Sequence, residues 1–222
     1  MSTKTILVTG SNRGIGLSFC RHYQRMGHRV YAACRRSSED LNSLGVNVIE
    51  GIDIGEPDTI ANLQKALAGI DVDIVINNAG ILRNEVLGEL DFASITEQFQ
   101  VNTLGPLRVT EALMDNLGSG SKVALITSRM GSIADNTSGG RYGYRMSKCA
   151  LNIAGVSLAH DLAPKGVSVG LFHPGLVGTE MIGGHGDITP DTAAERLIQR
   201  IDELNESNSG SFWHSNGEQL PW

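Results

Sequence analysis

Short runs rich in valine and isoleucine alternate along this chain with longer stretches of helical periodicity. The runs are 5–9, 30–34, 46–52, 74–76, 123–127 and 167–172. Most are apolar on both faces, a pattern that suits strands of a sheet covered by helices on both sides. The helical stretches between them are 14–26, 59–68, 95–117 and 144–163; a last helix over 192–205 and a short strand at 211–214 close the pattern. Strand, helix and parallel strand connect through right-handed crossovers. The expected class is therefore α/β: a single doubly wound Rossmann-type domain over residues 1–222, with a mostly parallel sheet flanked by helices on both faces. No internal repeat or linker interrupts it.

Charge and cysteine usage narrow the partners. The chain carries 18 Lys and Arg against 24 Asp and Glu, a net charge of -6, and has no basic tract. Nucleic acid is therefore not an expected partner. Cys20, Cys34 and Cys149 are an odd set with neither paired nor metal-type spacing, as reduced thiols in a cytoplasmic protein would be. No apolar run reaches membrane-spanning length and no leader pattern stands at the N-terminus, so neither a membrane nor export is expected.

Strand one runs into Thr9-Gly10-Ser11-Asn12-Arg13-Gly14-Ile15-Gly16, and a helix follows at once. Glycines there let the backbone turn tightly and approach a pyrophosphate, whose charge then lies at a helix N-terminus. By itself such a turn is also compatible with a purely structural role. Strand two ends Ala32-Ala33-Cys34-Arg35-Arg36, with no acidic residue to hold a ribose 2′-hydroxyl. Arg13 and Arg35 would bracket that position from two sides, which suits a 2′-phosphate. NADP(H) is expected over NAD(H), the alternative being that these arginines are solvated surface residues.

Tyr144 and Lys148 stand four residues apart near the start of a helix, on one face. A free tyrosine titrates near ~10, and a neighbouring ammonium lowers that value, as a proton donor working at neutral pH requires. Ser128 ends a strand, on the side of an open α/β sheet where ligands bind. Histidines and carboxylates show no metal spacing, and no metal is expected.

Thr9-Gly10-x-x-x-Gly14-Ile15-Gly16, Asn77-Asn78-Ala79-Gly80, Ser128, Tyr144-x-x-x-Lys148 and Pro174-Gly175 stand in the order and rough spacing of short-chain dehydrogenases/reductases, which the chain resembles over essentially its whole length. Finer features resemble sniffer-type carbonyl reductases and the bacterial C-factor group. These are Gly139-Gly140-x-Tyr142-x-Tyr144-Arg145-x-Ser147-Lys148, the stretch from His173 to Met181, and the Leu220-Pro221-Trp222 ending.

That resemblance implies roles. Tyr144 is the general acid/base, Ser128 positions the substrate oxygen, and Lys148 tunes Tyr144 and holds the nicotinamide ribose. Asn102 supports a proton-relay water near Lys148. Asp53 and Ile54 contact adenine, while Asn78, Ala79 and Gly80 line the cofactor trough. Gly10 to Gly16 cradle the pyrophosphate; Pro174, Gly175, Val177 and Thr179 lie along the nicotinamide and phosphates. The implied activity is hydride transfer between NADP(H) and a carbonyl or alcohol substrate, by a homodimer or homotetramer pairing through the helices at 95–117 and 144–163. The alternative from another class is a cofactor-binding sensor or signalling protein with vestigial activity. Tyr142 has no lysine four residues on, and His173 and His185 are read as structural. Arg129, directly after Ser128, leaves the substrate's polarity open.

Overall fold

The computed structural model describes residues 2–222. Seven strands form one sheet in the order β3-β2-β1-β4-β5-β6-β7, and every pairing is parallel. They are β1 Thr5–Thr9, β2 Arg29–Ala33, β3 Asn47–Ile49, β4 Ile74–Asn77, β5 Lys122–Ile126, β6 Ser168–His173 and β7 Phe212–His214. The helices are α1 Gly14–Arg25, α2 Glu39–Ser43, α3 Pro57–Ala66, α4 Phe92–Phe99, α5 Gly105–Ala112, α6 Tyr142–Leu162 and α7 Pro190–Glu203.

Alternate residues of each central strand enter opposite cores, because successive side chains leave a strand on opposite faces. Leu7, Val75, Val123, Leu125, Val169 and Leu171 pack under α3, α5 and α6, with Leu63, Val109 and Leu151. Ile6, Val8, Ile74, Ile76, Ala124 and Phe172 pack under α1, α2 and α7, with Phe19, Tyr23, Leu41 and Leu197. Each large apolar side chain removed from water in this way contributes about 1.5–3 kcal/mol. Both faces of the sheet are therefore apolar, as expected of the doubly wound class.

The strand order reverses between β1 and β4, and the crevice of such a sheet opens beyond the carboxyl ends of the strands on either side of that reversal. Those ends are Thr9-Gly10 and Asn77-Asn78.

Differences from the sequence-based expectation lie at the margins and have local causes. Helix α3 starts two residues early because Pro57 takes its first position, and α7 does so because Thr189 caps it ahead of Pro190. Asp91 caps α4 by accepting from Ala93 and Ser94 at 2.9 and 3.1 Å. Helix α2 is a five-residue turn with one buried side chain, Leu41, too short to show a period. The expected helix over 95–117 is α4 and α5 joined through a π turn, Gln100–Leu104, with a 3₁₀ turn, Met114–Asn116, at its end. Strand β3 is three residues rather than seven, an edge strand paired only with β2.

Candidate active site

The crevice floor is a weld between β1 and β4. The Thr9 hydroxyl accepts the backbone N–H groups of Asn78 and Ala79, each at 3.1 Å. The Asn78 amide returns hydrogen bonds to the carbonyls of Thr9 and Gly10 at 3.0 and 3.2 Å. Gly10 turns at φ 64°, and a Cβ there would come within 2.8 Å of Ala79 Cα. A Cβ on Gly16 would overlap the Gly10 carbonyl and lie 2.7 Å from Asn78 Nδ2. Gly16 therefore acts by letting α1 close on the strands, and it does not line the crevice.

Above this floor lies a trough of about 730 Å³, a volume suited to a cofactor. Gly10, Asn12, Arg13, Gly14 and Ile15 line one side of it, at and just before the α1 N-terminus. Arg35, Asp53 and Ile54 line the β2–β3 end; Asn78, Ala79 and Gly80 line the middle. Tyr144, Lys148, Pro174 and Thr179 line the rest. A backbone cradle at a helix N-terminus, with no room for a Cβ at Gly10, fits the diphosphate of a dinucleotide.

Besides Gly16, three residues expected along the cofactor stand back from the trough. Ser11 is buried, and its hydroxyl and N–H both go to the Ala33 carbonyl, at 3.1 and 3.3 Å. Val177 is buried and bridges to Ile188. Gly175, at φ 97°, turns the chain against Ile188 and His214. All three shape the wall from behind it.

Both arginines expected at the 2′ position line the trough, and each already has a carboxylate. Arg13 meets Glu180 at 2.9 Å, and Arg35 meets Asp53 at 3.6 Å.

Helix α6 begins after Gly139, Gly140 and Arg141, all at positive φ; Arg141, at 50°, is the one non-glycine in that region among the described residues. Strain of this kind is tolerated where the surroundings over-determine the backbone. Tyr144 and Lys148 follow on the buried face, 8% and 4% exposed. Lys148 Nζ donates to the Ile126 carbonyl at 2.9 Å and stands 5.8 Å from the Tyr144 ring centroid. Burial pulls the ammonium down to about 8. Burial also pushes the Tyr144 phenol above its ordinary value, opposed by the Ser128 hydroxyl and the Arg141 guanidinium. Ser128, two residues past the end of β5, is buried and accepts the N–H of Met130 at 3.1 Å.

Asn102 sits within the π turn, fully buried. Its amide exchanges two 2.8 Å bonds with the backbone of Ile81 and donates to the Ser147 hydroxyl at 3.0 Å. The side chain is thus a brace between the turn after β4 and helix α6. A π turn of this kind often marks a functional position. Arg129 is compensated by Asp135 at 2.6 Å and Glu218 at 3.5 Å.

Among the described residues no cluster of three or more His, Cys, Asp or Glu is disposed to hold a metal, and no helix is long and apolar enough to cross a membrane. Residues 4–187 match the family described as short chain dehydrogenase. The chain belongs to that family. A 1-hydroxy-2-glutathionyl-2-methyl-3-butene dehydrogenase of Rhodococcus sp. is 43% identical over 224 residues, covering 98% of this chain and 99% of the relative. The C-signal protein of Myxococcus xanthus is 45% identical over 154 residues, 68% of this chain and 93% of the relative. Among solved structures, the carbonyl reductase Sniffer of D. melanogaster superposes with a TM-score of 0.89 at 27% identity, covering 100% of both chains. An NADPH-bound carbonyl reductase from chicken fatty liver does so with a TM-score of 0.87, also at 27% identity and full coverage of both chains. The chain is thus an oxidoreductase of the short-chain family with a nicotinamide-dinucleotide-binding fold, and it resembles the sniffer and C-signal branches as its motifs implied.

Sequence reasoning missed Glu85, Gln98 and Arg141, which gather around the start of α6. Their residue types carry no motif, and what joins them is the path of the segment between β4 and α4.

Proposed function

We propose that this family member is an NADP(H)-dependent carbonyl reductase in which Tyr144 is the general acid/base. The observation that carries the reading is that Tyr144 and Lys148 line the trough, with the Ser128 hydroxyl beside the Tyr144 phenol just past the end of β5. A bound nicotinamide supplies the hydride. Ser128 orients the substrate oxygen, and Tyr144 gives it a proton. Lys148 holds the ribose hydroxyls and returns a proton to Tyr144, while Asn102 fixes the turn at Gly80 against α6. Burial keeps the phenol protonated, and the positive charges beside it help it release that proton to a developing alkoxide. Arg13 and Arg35 would take a 2′-phosphate, and the NADPH carried by the chicken carbonyl reductase agrees with that preference.

We further propose that residues 1–222 act as one cofactor-binding and catalytic domain in the cytoplasm, where Cys20, Cys34 and Cys149 stay reduced. Copies would pair through α4 and α6, which expose Phe92, Phe99, Met146 and Ile153. Apolar surface of that kind favours an interface.

A screen of NADPH oxidation over quinones, ketones and aldehydes tests the assignment, with NADP⁺ and alcohols as the reverse arm. The similarity to C-signal favours one second reading, a sensor with vestigial activity. Folded protein that binds NADPH but turns over nothing in either direction would select it.

A further inference from the structure

We infer that Glu85 is a positioning residue, whose buried carboxylate fastens the first turn of α6 and so sets where the Tyr144 phenol stands; this rests on the reading of Tyr144 as the proton donor. Glu85 is 3% exposed, in the segment between β4 and α4. Its Oε2 accepts the backbone N–H of Gly143 at 3.1 Å. Its Oε1 accepts from the Ser94 hydroxyl at 3.2 Å and from the Gln98 amide. Its own main-chain carbonyl accepts the N–H of Arg141 at 3.1 Å.

Helix α6 needs such a partner. The first N–H groups of a helix lack intrahelical acceptors, and a side-chain oxygen at the N-cap usually takes one of them. The N-cap of α6 is Arg141, whose guanidinium has no acceptor and makes no capping bond. A carboxylate from another segment fills the role, and its charge lies at the positive end of the helix. The fit is close. A Cβ on Gly143 would come within 2.5 Å of Gln98 Nε2 and 3.1 Å of Glu85 Oε1. The residue after Gly143 is Tyr144, so displacement of this turn displaces the phenol.

Gln98 sets the polarity of the pair. Its Oε1 accepts the N–H of Arg83 at 3.0 Å, which turns its NH₂ toward Glu85. Position 85 must therefore accept from both Gly143 and position 98. E85Q leaves one buried donor facing another. Q98E sets two carboxylates face to face. The double variant E85Q/Q98E restores the pattern with donor and acceptor exchanged, since the introduced carboxylate still accepts from Arg83 while accepting from the introduced amide.

The test uses the full chain, ¹³C-labelled at tyrosine and examined by NMR. The Tyr144 signal is assigned by its loss in Y144F, and NADPH-dependent reduction of an aromatic aldehyde is measured alongside. E85Q should move the Tyr144 signal and lower kcat about tenfold or more, because a 1 Å misplacement can cost about 10²-fold. NADPH affinity should stay within about twofold. The double variant should return both signal and kcat toward wild type, a recovery that general destabilisation does not produce. An unmoved Tyr144 signal in E85Q, or a double variant no better than E85Q, overturns the proposal. Should E85Q fail to fold by circular dichroism, E85D is read instead; its shorter carboxylate should lose Gly143, and a wild-type Tyr144 signal there also overturns it. Wild-type turnover in Y144F would instead sink the reading of Tyr144, while the NMR comparison still decides the role of Glu85.

Discussion

Lys148 Nζ lies 5.8 Å from the centre of the Tyr144 ring and is tied to the Ile126 carbonyl at 2.9 Å. The ammonium is thus anchored to the end of β5, beside a phenol one helical turn away on α6. Burial acts on both groups in the direction that favours the neutral form, lowering Lys148 to about 8 and raising Tyr144. In the proposed reduction that is a coherent pair: a phenol that keeps its proton until an alkoxide develops, and an ammonium that can give one up near neutral pH.

Tyr144→Phe should therefore remove the proton donor and keep the packing of the ring. Turnover in the carbonyl screen should fall about 10²–10⁴-fold, the usual worth of general acid catalysis. NADPH binding, followed by fluorescence titration, should change little. Tyr142→Phe is the control, because its ring lies on a different face of the first turn; its loss should be mild.

The rate should also carry the signature of Lys148. A lysine whose pKa is lowered loses its charge earlier as pH rises, so kcat/KM for reduction should decline as pH passes about 8. Tyr144, raised by burial, remains protonated through that range and contributes no falling limb below its ordinary value. Lys148→Arg should move the limb upward or abolish it, since a guanidinium does not titrate there. A falling limb near pH 8 that persists unchanged in that variant would assign it to another group.

How much of this was legible in the sequence depended on where each signal is written. The sheet was legible because Ile6, Leu7 and Val8 must all be apolar when cores lie on both faces. Tyr144 and Lys148 were legible because a single helix fixes their separation. Glu85 and Gln98 were not, because they meet Gly143 from 58 and 45 residues away, Glu85 from a segment with no regular structure and Gln98 from α4. The same holds for the acids beside the arginines. Glu180 reaches Arg13 across 167 residues, and nothing near either position announces it. The π turn at Asn102 has no period of its own to detect within an apolar helix, and helix starts at Asp91 and Thr189 were visible only as caps.

Acid stability should report His173. Burial first, then the nearby His214 and Arg129, hold it down to about 3; its ring meets His214 edge-on at 4.9 Å, and its Nδ1 has no partner among the described residues. A histidine whose folded value lies below its unfolded value near ~6.5 contributes fully above that value. The contribution is lost as pH falls from about 6.5 toward 3, with a slope of at most about 1.4 kcal/mol per pH unit for one proton. Urea unfolding at pH 7, 6, 5 and 4 should show that decline. His173→Phe, which cannot take up the proton, should flatten it. Equal slopes in the two proteins would mean that the proton is taken up elsewhere.

Cofactor choice tests the arginines most directly, and here the structure alters the reasoning. Arg35 and Arg13 are held by Asp53 and Glu180 in pairs whose side chains are 34 to 74% exposed. Pairs of that kind contribute about 0.2–1 kcal/mol, whereas a hydrogen bond to a charged group contributes about 1.5–3 kcal/mol. A 2′-phosphate should therefore win both guanidiniums from their carboxylates, and wild type should prefer NADPH by about tenfold or more. Arg35→Asp removes one contact and repels phosphate, while its carboxylate can accept from ribose hydroxyls. NADPH affinity should fall, and NADH affinity should hold or rise. Glu180→Gln acts in the opposite sense by freeing Arg13, and should strengthen NADPH binding slightly without helping NADH. Isothermal titration of both cofactors against wild type and the two variants separates these effects. Equal wild-type affinities would reduce Arg13 and Arg35 to solvated partners of Glu180 and Asp53, and the expected preference for NADP(H) would fall with them.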